Sequence, residues 1–254
     1  MNDKMRKSSN SRNLDVFRSP MPAYCRPAAY AAFAREMPRV DSTRGLFRAA
    51  FAIALHEWPE ADIAQAEAIV AELTDTITRR VHSPSPQARV AHLHDVLFDV
   101  AGFRGNVDDY YNPANSYLPI VLEKHRGLPI TLSLVYKCVA EGVGLEVHGI
   151  NAPGHFLTAV RCPEPGAAER SADGWMYVDP FYGGELLEPK DVFHRIREAT
   201  GRDVPDVPEW LAPASHAGWL HRMLHNLQAV FARTGRERDL YAMQELQQLL
   251  VAQV

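Results

Sequence analysis

Two short motifs hold a histidine and an aspartate where acid–base chemistry needs them: Pro153-Gly-His-Phe156 and Tyr177-Val-Asp-Pro180. They follow Arg126-Gly-Leu-Pro-Ile-Thr-Leu-Ser133, whose composition is that of a turn opening a helix. A helix start, then His155 on one strand, then Asp179 on the next, is the order of a nucleophile, a general base and an orienting carboxylate in acyl transfer. A carboxylate beside the second ring nitrogen of His155 would fix its tautomer and stabilise the imidazolium. Each residue also has a plainer reading: His155 bonded to a local carbonyl, and Asp179 as a turn-forming Asp-Pro.

The nucleophile is where the pattern thins. A helix N-terminus lowers a thiol's pKa and offers free backbone N–H groups to an oxyanion. Only alcohols stand there, Thr131 and Ser133, with no cysteine between Pro129 and Ser133. A hydroxyl gains little ionisation from a helix terminus, and both residues also suit a hydrogen bond within the first helical turn. Cys138 lies two turns further on, about 10 Å from Thr131 along the axis, and reads as core. Cys162 borders a loop and reads as an incidental thiol. Asn112, Asn115, Tyr117 and Arg126 are expected to line the same cleft, although Asn112 is equally explained as a helix cap. His148 lacks a third metal ligand at suitable spacing, and His92 and His94 do not share a helix face. The pattern requires neither a metal nor a cofactor.

The elements that must position these groups follow from periodicity. Residues 1 to about 22 are polar and basic and predict a disordered leader. From Asp41 or Ser42 a helix carries Leu46, Phe47, Ala50, Phe51 and Ala54 on one face, and Trp58-Pro59 breaks it. Further helices are predicted over about 61–81 and 88–100, and a short one over 114–124 that Pro119 kinks or divides. The helix from Pro129 is central, with Leu132, Val135, Tyr136 and Val139 inward. Short β-branched and aromatic runs at 145–150, 156–160 and 175–178 predict antiparallel strands, with a long loop over 162–174. Residues 190–199 form another helix, 202–214 a proline-rich linker, and 215–252 a helix hairpin docked on the main domain. That hairpin has roughly the length of one tetratricopeptide unit, without a second copy.

Bulk properties narrow the partners. The 254 residues carry a net charge of −4, so no nucleic-acid-binding surface is indicated. No apolar run approaches the roughly 20 residues of a membrane span. Three widely spaced cysteines suggest no disulfide framework, and the default setting is a reducing, cytoplasmic one.

Taken together, Asn115-Ser-Tyr-Leu, Arg126 to Ser133, Gly144-Leu-Glu-Val, Pro153-Gly-His-Phe-Leu and Val178-Asp-Pro-Phe-Tyr-Gly-Gly resemble the bacterial SirB-type transglutaminase-like proteins. The resemblance spans about 40–250 and is strongest over 112–187. It implies an α+β fold: a papain/transglutaminase-like core over 40–200 with an N-terminal helical layer, a small antiparallel sheet and a tetratricopeptide-like C-terminal hairpin. It matches His155 and Asp179 to the histidine and aspartate of the transglutaminase triad. The cysteine does not carry over. The expectation is a protein- or peptide-binding or regulatory module of unspecified oligomeric state. The alternative is a hydrolase or acyltransferase using Thr131 or Ser133.

Overall fold

Capped, proline-punctuated stretches build a layer of helices ahead of the site: α1 (Pro27–Glu36), α2 (Thr43–Ala54), α3 (Ile63–Arg80), α4 (Pro86–His94) and α5 (Leu118–Lys124). The structure is a computed structural model and describes residues 21–163 and 174–251. The expected leader and most of the 162–174 loop therefore lie outside the described residues. Ser42, Asp62 and Ser85 each accept a backbone N–H of the first turn, as a helix start requires.

Two features of the helical layer, one the expected division of 114–124 and one a departure from the expected pattern, have local causes. Residues 114–124 do not form one helix: a 3-10 turn (Pro113–Ser116) capped by Asn112 ends at Tyr117, and α5 begins with Pro119 in its first turn. Proline is tolerated there because its missing N–H would have had no intrahelical acceptor. α1 arises outside any of the predicted periodic segments. It buries only Ala29, Phe33 and Glu36 within its length, too sparse a stripe for a periodicity signal.

Between α4 and α5 the chain passes through a π-helical turn (Asp95–Val100) and a two-residue strand, β1 (Arg104–Gly105), paired in parallel with β2 (Arg126–Gly127). Next comes α6 (Pro129–Gly142), whose residues from Pro129 to Lys137 are all buried. Four strands follow: β3 (Val147–Ile150), β4 (Leu157–Arg161), β5 (Trp175–Asp179) and β6 (Glu185–Leu187). They form an antiparallel meander in sequence order. The fold is α+β. A capping box of Glu188 and Asp191 starts α7 (Pro189–Thr200), and the chain closes with α8 (His216–Arg233) and α9 (Glu237–Val251).

α6 is where the layers meet. It touches β3 and β4 of the sheet, α2 to α5 of the helical layer, and α8 of the hairpin. α8 is as buried as α6 along one face, with Trp219, Leu220, Met223, Leu224, Leu227 and Phe231 all inaccessible to solvent. The hairpin thus shares the main core.

Candidate functional site

Gly154 sets the position of His155. Its φ of +74° is a conformation that residues with a Cβ rarely adopt, and it turns the chain just before β4. The His155 N–H is held by the Ala152 carbonyl at 3.2 Å. Asp179 ends β5, fully buried, with its Oδ2 2.7 Å from His155 Nε2. The other oxygen, Oδ1, accepts the Phe181 N–H at 3.1 Å and caps the 3-10 turn Pro180–Tyr182. Asp179 thus bonds the imidazole with one oxygen and makes the Asp-Pro turn with the other. Arg195 of α7 stands behind the pair, its Nε 3.9 Å from Asp179 Oδ2, and is also ion-paired with Glu185.

With Nε2 committed to Asp179, Nδ1 is the nitrogen His155 has left for another partner, and His155 lies in the wall of a cleft of about 180 Å³. A carboxylate on Nε2 favours the tautomer with its proton there, leaving Nδ1 as an acceptor. The floor is the start of α6, through Leu128, Pro129 and Ile130. Trp219 of α8 steadies that floor, donating its indole N–H to the Ile130 carbonyl at 3.2 Å.

Thr131 and Ser133 stand in the first two turns of α6, yet neither reaches His155. Both are fully buried, and both hydroxyl oxygens lack a hydrogen-bond partner among the described residues. Nor do they make the helix-terminal bond that was the alternative expectation. The thiols of Cys138 and Cys25 are equally unsuited to nucleophilic chemistry. Burial and the nearby Glu141 push Cys138 up to about 12, while burial and Glu245 push Cys25 to about 12.

Asn112, Asn115, Tyr117 and Arg126 are not in the cleft wall, contrary to expectation. Asn112 caps the 3-10 turn. Tyr117 is buried edge-on against Trp58 with ring centroids 4.8 Å apart. Arg126 donates to the carbonyls of Gly102 and His125 at 2.7 and 2.8 Å. Asn115 is closest to the expected role: its amide donates to the Asp109 and Tyr110 carbonyls at 2.7 and 3.2 Å and so shapes the loop that supplies one wall. That wall is Tyr110 and Tyr111; another is α8, with Arg222, Asn226, Val230 and Arg233. Sequence reasoning missed both walls. The α8 residues recur at four- and three-residue spacing, but a polar stripe on a helix ordinarily marks a face turned to water. His148 is set apart on β3, against Trp175 and 3.5 Å from Glu146.

Comparison with known proteins agrees with this architecture. Residues 63–225 match the family described as the transglutaminase-like superfamily. The chain belongs to that superfamily. Its match runs from α3 into α8, so it takes in the His155–Asp179 pair and Trp219 together. The chain is also similar to a UPF0162 protein of Xylella fastidiosa (strain 9a5c), 36% identical over 77% of this chain and 68% of that protein. It is 31% identical to F-box only protein 21 of Mus musculus over 63% of this chain, which is only 24% of that larger protein. A UPF0162 protein of Vibrio cholerae is 24% identical over 41% of this chain and 35% of its own length. No solved structure matches. No helix among the described residues is long and apolar enough to cross a membrane.

Proposed function

We propose that this chain is a peptide- or protein-binding module that keeps the transglutaminase-like cleft without its thiol chemistry. One observation carries the reading: an intact, buried His155–Asp179 pair faces a helix start with no cysteine and with both candidate hydroxyls buried and unbonded to the imidazole. Without an activated nucleophile, His155 serves as a fixed hydrogen-bonding group, and the cleft recognises a chain it does not cleave. The rival hydrolase or acyltransferase needs an Oγ at hydrogen-bond distance from His155, roughly 3.2 Å. Nothing about Thr131 or Ser133 favours it over binding. The SirB-type assignment, and the α8–α9 pair as a tetratricopeptide-like unit, belong to the same proposal. So does a reducing, cytoplasmic setting, in keeping with the thiol forms of Cys25 and Cys138.

The test is turnover. Purified protein is expected to show no amine transfer and no peptide hydrolysis above background. Turnover that disappears in a normally folded His155→Ala variant would sink the proposal and favour the rival.

A further inference from the structure

The cleft wall formed by α8 has an unusual charge balance. Arg222 and Arg233 both line it, together with His155, and none of its lining residues is acidic. Neither arginine has a carboxylate within 4.0 Å among the described residues, whereas Arg195, just behind the site, is ion-paired with Glu185. Arg222 is half-buried, with Nη1 donating to the Asn151 side chain at 2.8 Å, a neutral acceptor that cannot balance its charge. Burial works against that charge and lowers its pKa, and the nearby Tyr110 opposes the shift. The Arg233 guanidinium carbon lies over the Tyr111 ring, 4.0 Å from its centroid, which holds the guanidinium at the cleft mouth, and Tyr111 is 60% exposed there.

A desolvated cation without a counter-charge is costly, and an incoming anion relieves that cost as it binds. Geometry limits the anion's carrier. At 1.5 Å per residue, Arg222 and Arg233 stand about 16 Å apart along α8, which is the reach of about five extended residues. The cleft between them, about 180 Å³, takes one or two side chains. We propose that the α8 groove binds an extended peptide segment bearing carboxylates, one engaged by Arg222 inside the cleft and another by Arg233 at its mouth. This rests on the binding reading above and specifies its ligand.

The test uses two mixed-sequence libraries of fluorescent pentapeptides, one with glutamate and one with glutamine at the first and last positions. Each is prepared with an amidated and with a free C-terminus, and titrated into the full chain. The glutamate peptides are expected to bind more tightly, with an affinity that falls as salt rises. The amidated and free forms show whether side chains or the chain terminus supply the second carboxylate. Arg222→Gln is expected to weaken binding roughly tenfold and the exposed Arg233→Gln roughly threefold, since a solvated guanidinium is screened. Arg238→Gln, the same charge change on the exposed face of α9, is expected to have no effect.

Equal binding of glutamate and glutamine peptides overturns the acidic preference while leaving a binding module standing. An equal loss in Arg238→Gln, no loss in either groove variant, or no binding up to about 1 mM also overturns it. Arg233 is exposed and Arg233→Gln removes only its surface stack on Tyr111, so its result stands even if Arg222→Gln folds poorly. Turnover of a peptide would instead overturn the non-cleaving reading without touching the charge preference, so the two failures are distinguishable.

Discussion

Asp179 divides its two oxygens between architecture and site, one capping the turn that follows β5 and the other holding the imidazole of His155. A buried carboxylate with both oxygens engaged is tolerated because donors replace the water it has lost. The same accounting explains His94, another histidine with a consequential environment. Its Nε2 lies 3.0 Å from the Tyr136 hydroxyl, and burial lowers its pKa to about 4 against a partial opposing pull from Asp99. Above pH 6.5 His94 is neutral in the folded and unfolded chains alike. Below that, the unfolded chain takes up the proton while the folded one resists until about pH 4, so stability is lost as pH falls across that window. Urea unfolding is expected to show about 1–2 kcal/mol more loss between pH 7.5 and pH 5 in the wild type than in His94→Gln. Equal losses in the two proteins would exclude this account.

At the scale of elements, the floor of the site depends on how α8 meets the sheet. Trp219 packs against Phe156 with ring centroids 4.6 Å apart and reaches Ile130 with its indole N–H. β3 makes room for it through Gly149, where an added Cβ would come within 2.2 Å of the Trp219 ring. A rigid aromatic edge cannot yield that distance, so Gly149→Ala is expected to cost about 1–3 kcal/mol through overpacking. Trp219→Ala removes the ring altogether and is expected to cost about 3–5 kcal/mol. The two changes are coupled. In a Trp219→Leu background, chemical denaturation should show a smaller penalty for Gly149→Ala, and an unchanged penalty would mean that the strain lies elsewhere.

At the scale of the molecule, the C-terminal hairpin is structural as well as a wall of the cleft. α8 packs on α2 and α6, and α9 packs on α1. The Glu245 carboxylate of α9 also receives the backbone N–H groups of Ala23, Tyr24 and Cys25 at 2.7, 3.2 and 2.8 Å. Asp239 of α9 bonds His56 Nε2 at 2.9 Å and Arg236 at 2.6 Å, tying the hairpin to the end of α2. A chain ended at residue 214 would expose Trp219's whole surrounding. It is expected to lose its sharp unfolding transition and near-ultraviolet dichroism and to bind an apolar dye. A truncated chain that still unfolds cooperatively, at a similar temperature, would make the hairpin an appendage.

Local patterns were enough to read the helical layer, the antiparallel sheet and the α+β class, because caps, prolines and apolar periods act over a few residues. Motif order likewise pointed to His155 and Asp179, which the fold brings to 2.7 Å of each other, and the missing cysteine is a fact of the sequence alone. Other features depended on contacts between distant segments. Lys137, a charge within the most buried helix, makes sense only because its Nζ reaches the Val147 carbonyl at 2.6 Å and the Glu141 carboxylate. Thr131 and Ser133 carry hydroxyls suited to chemistry, and only the packing around α6 decided that both are buried without a hydrogen bond to His155. Arg222 and Arg233 carry no signal in the sequence, and only the packing of α8 along the cleft brings them to the site. Periodicity reports which face of an element is apolar, whereas the partner of a polar face is set by where the folded chain brings the next element.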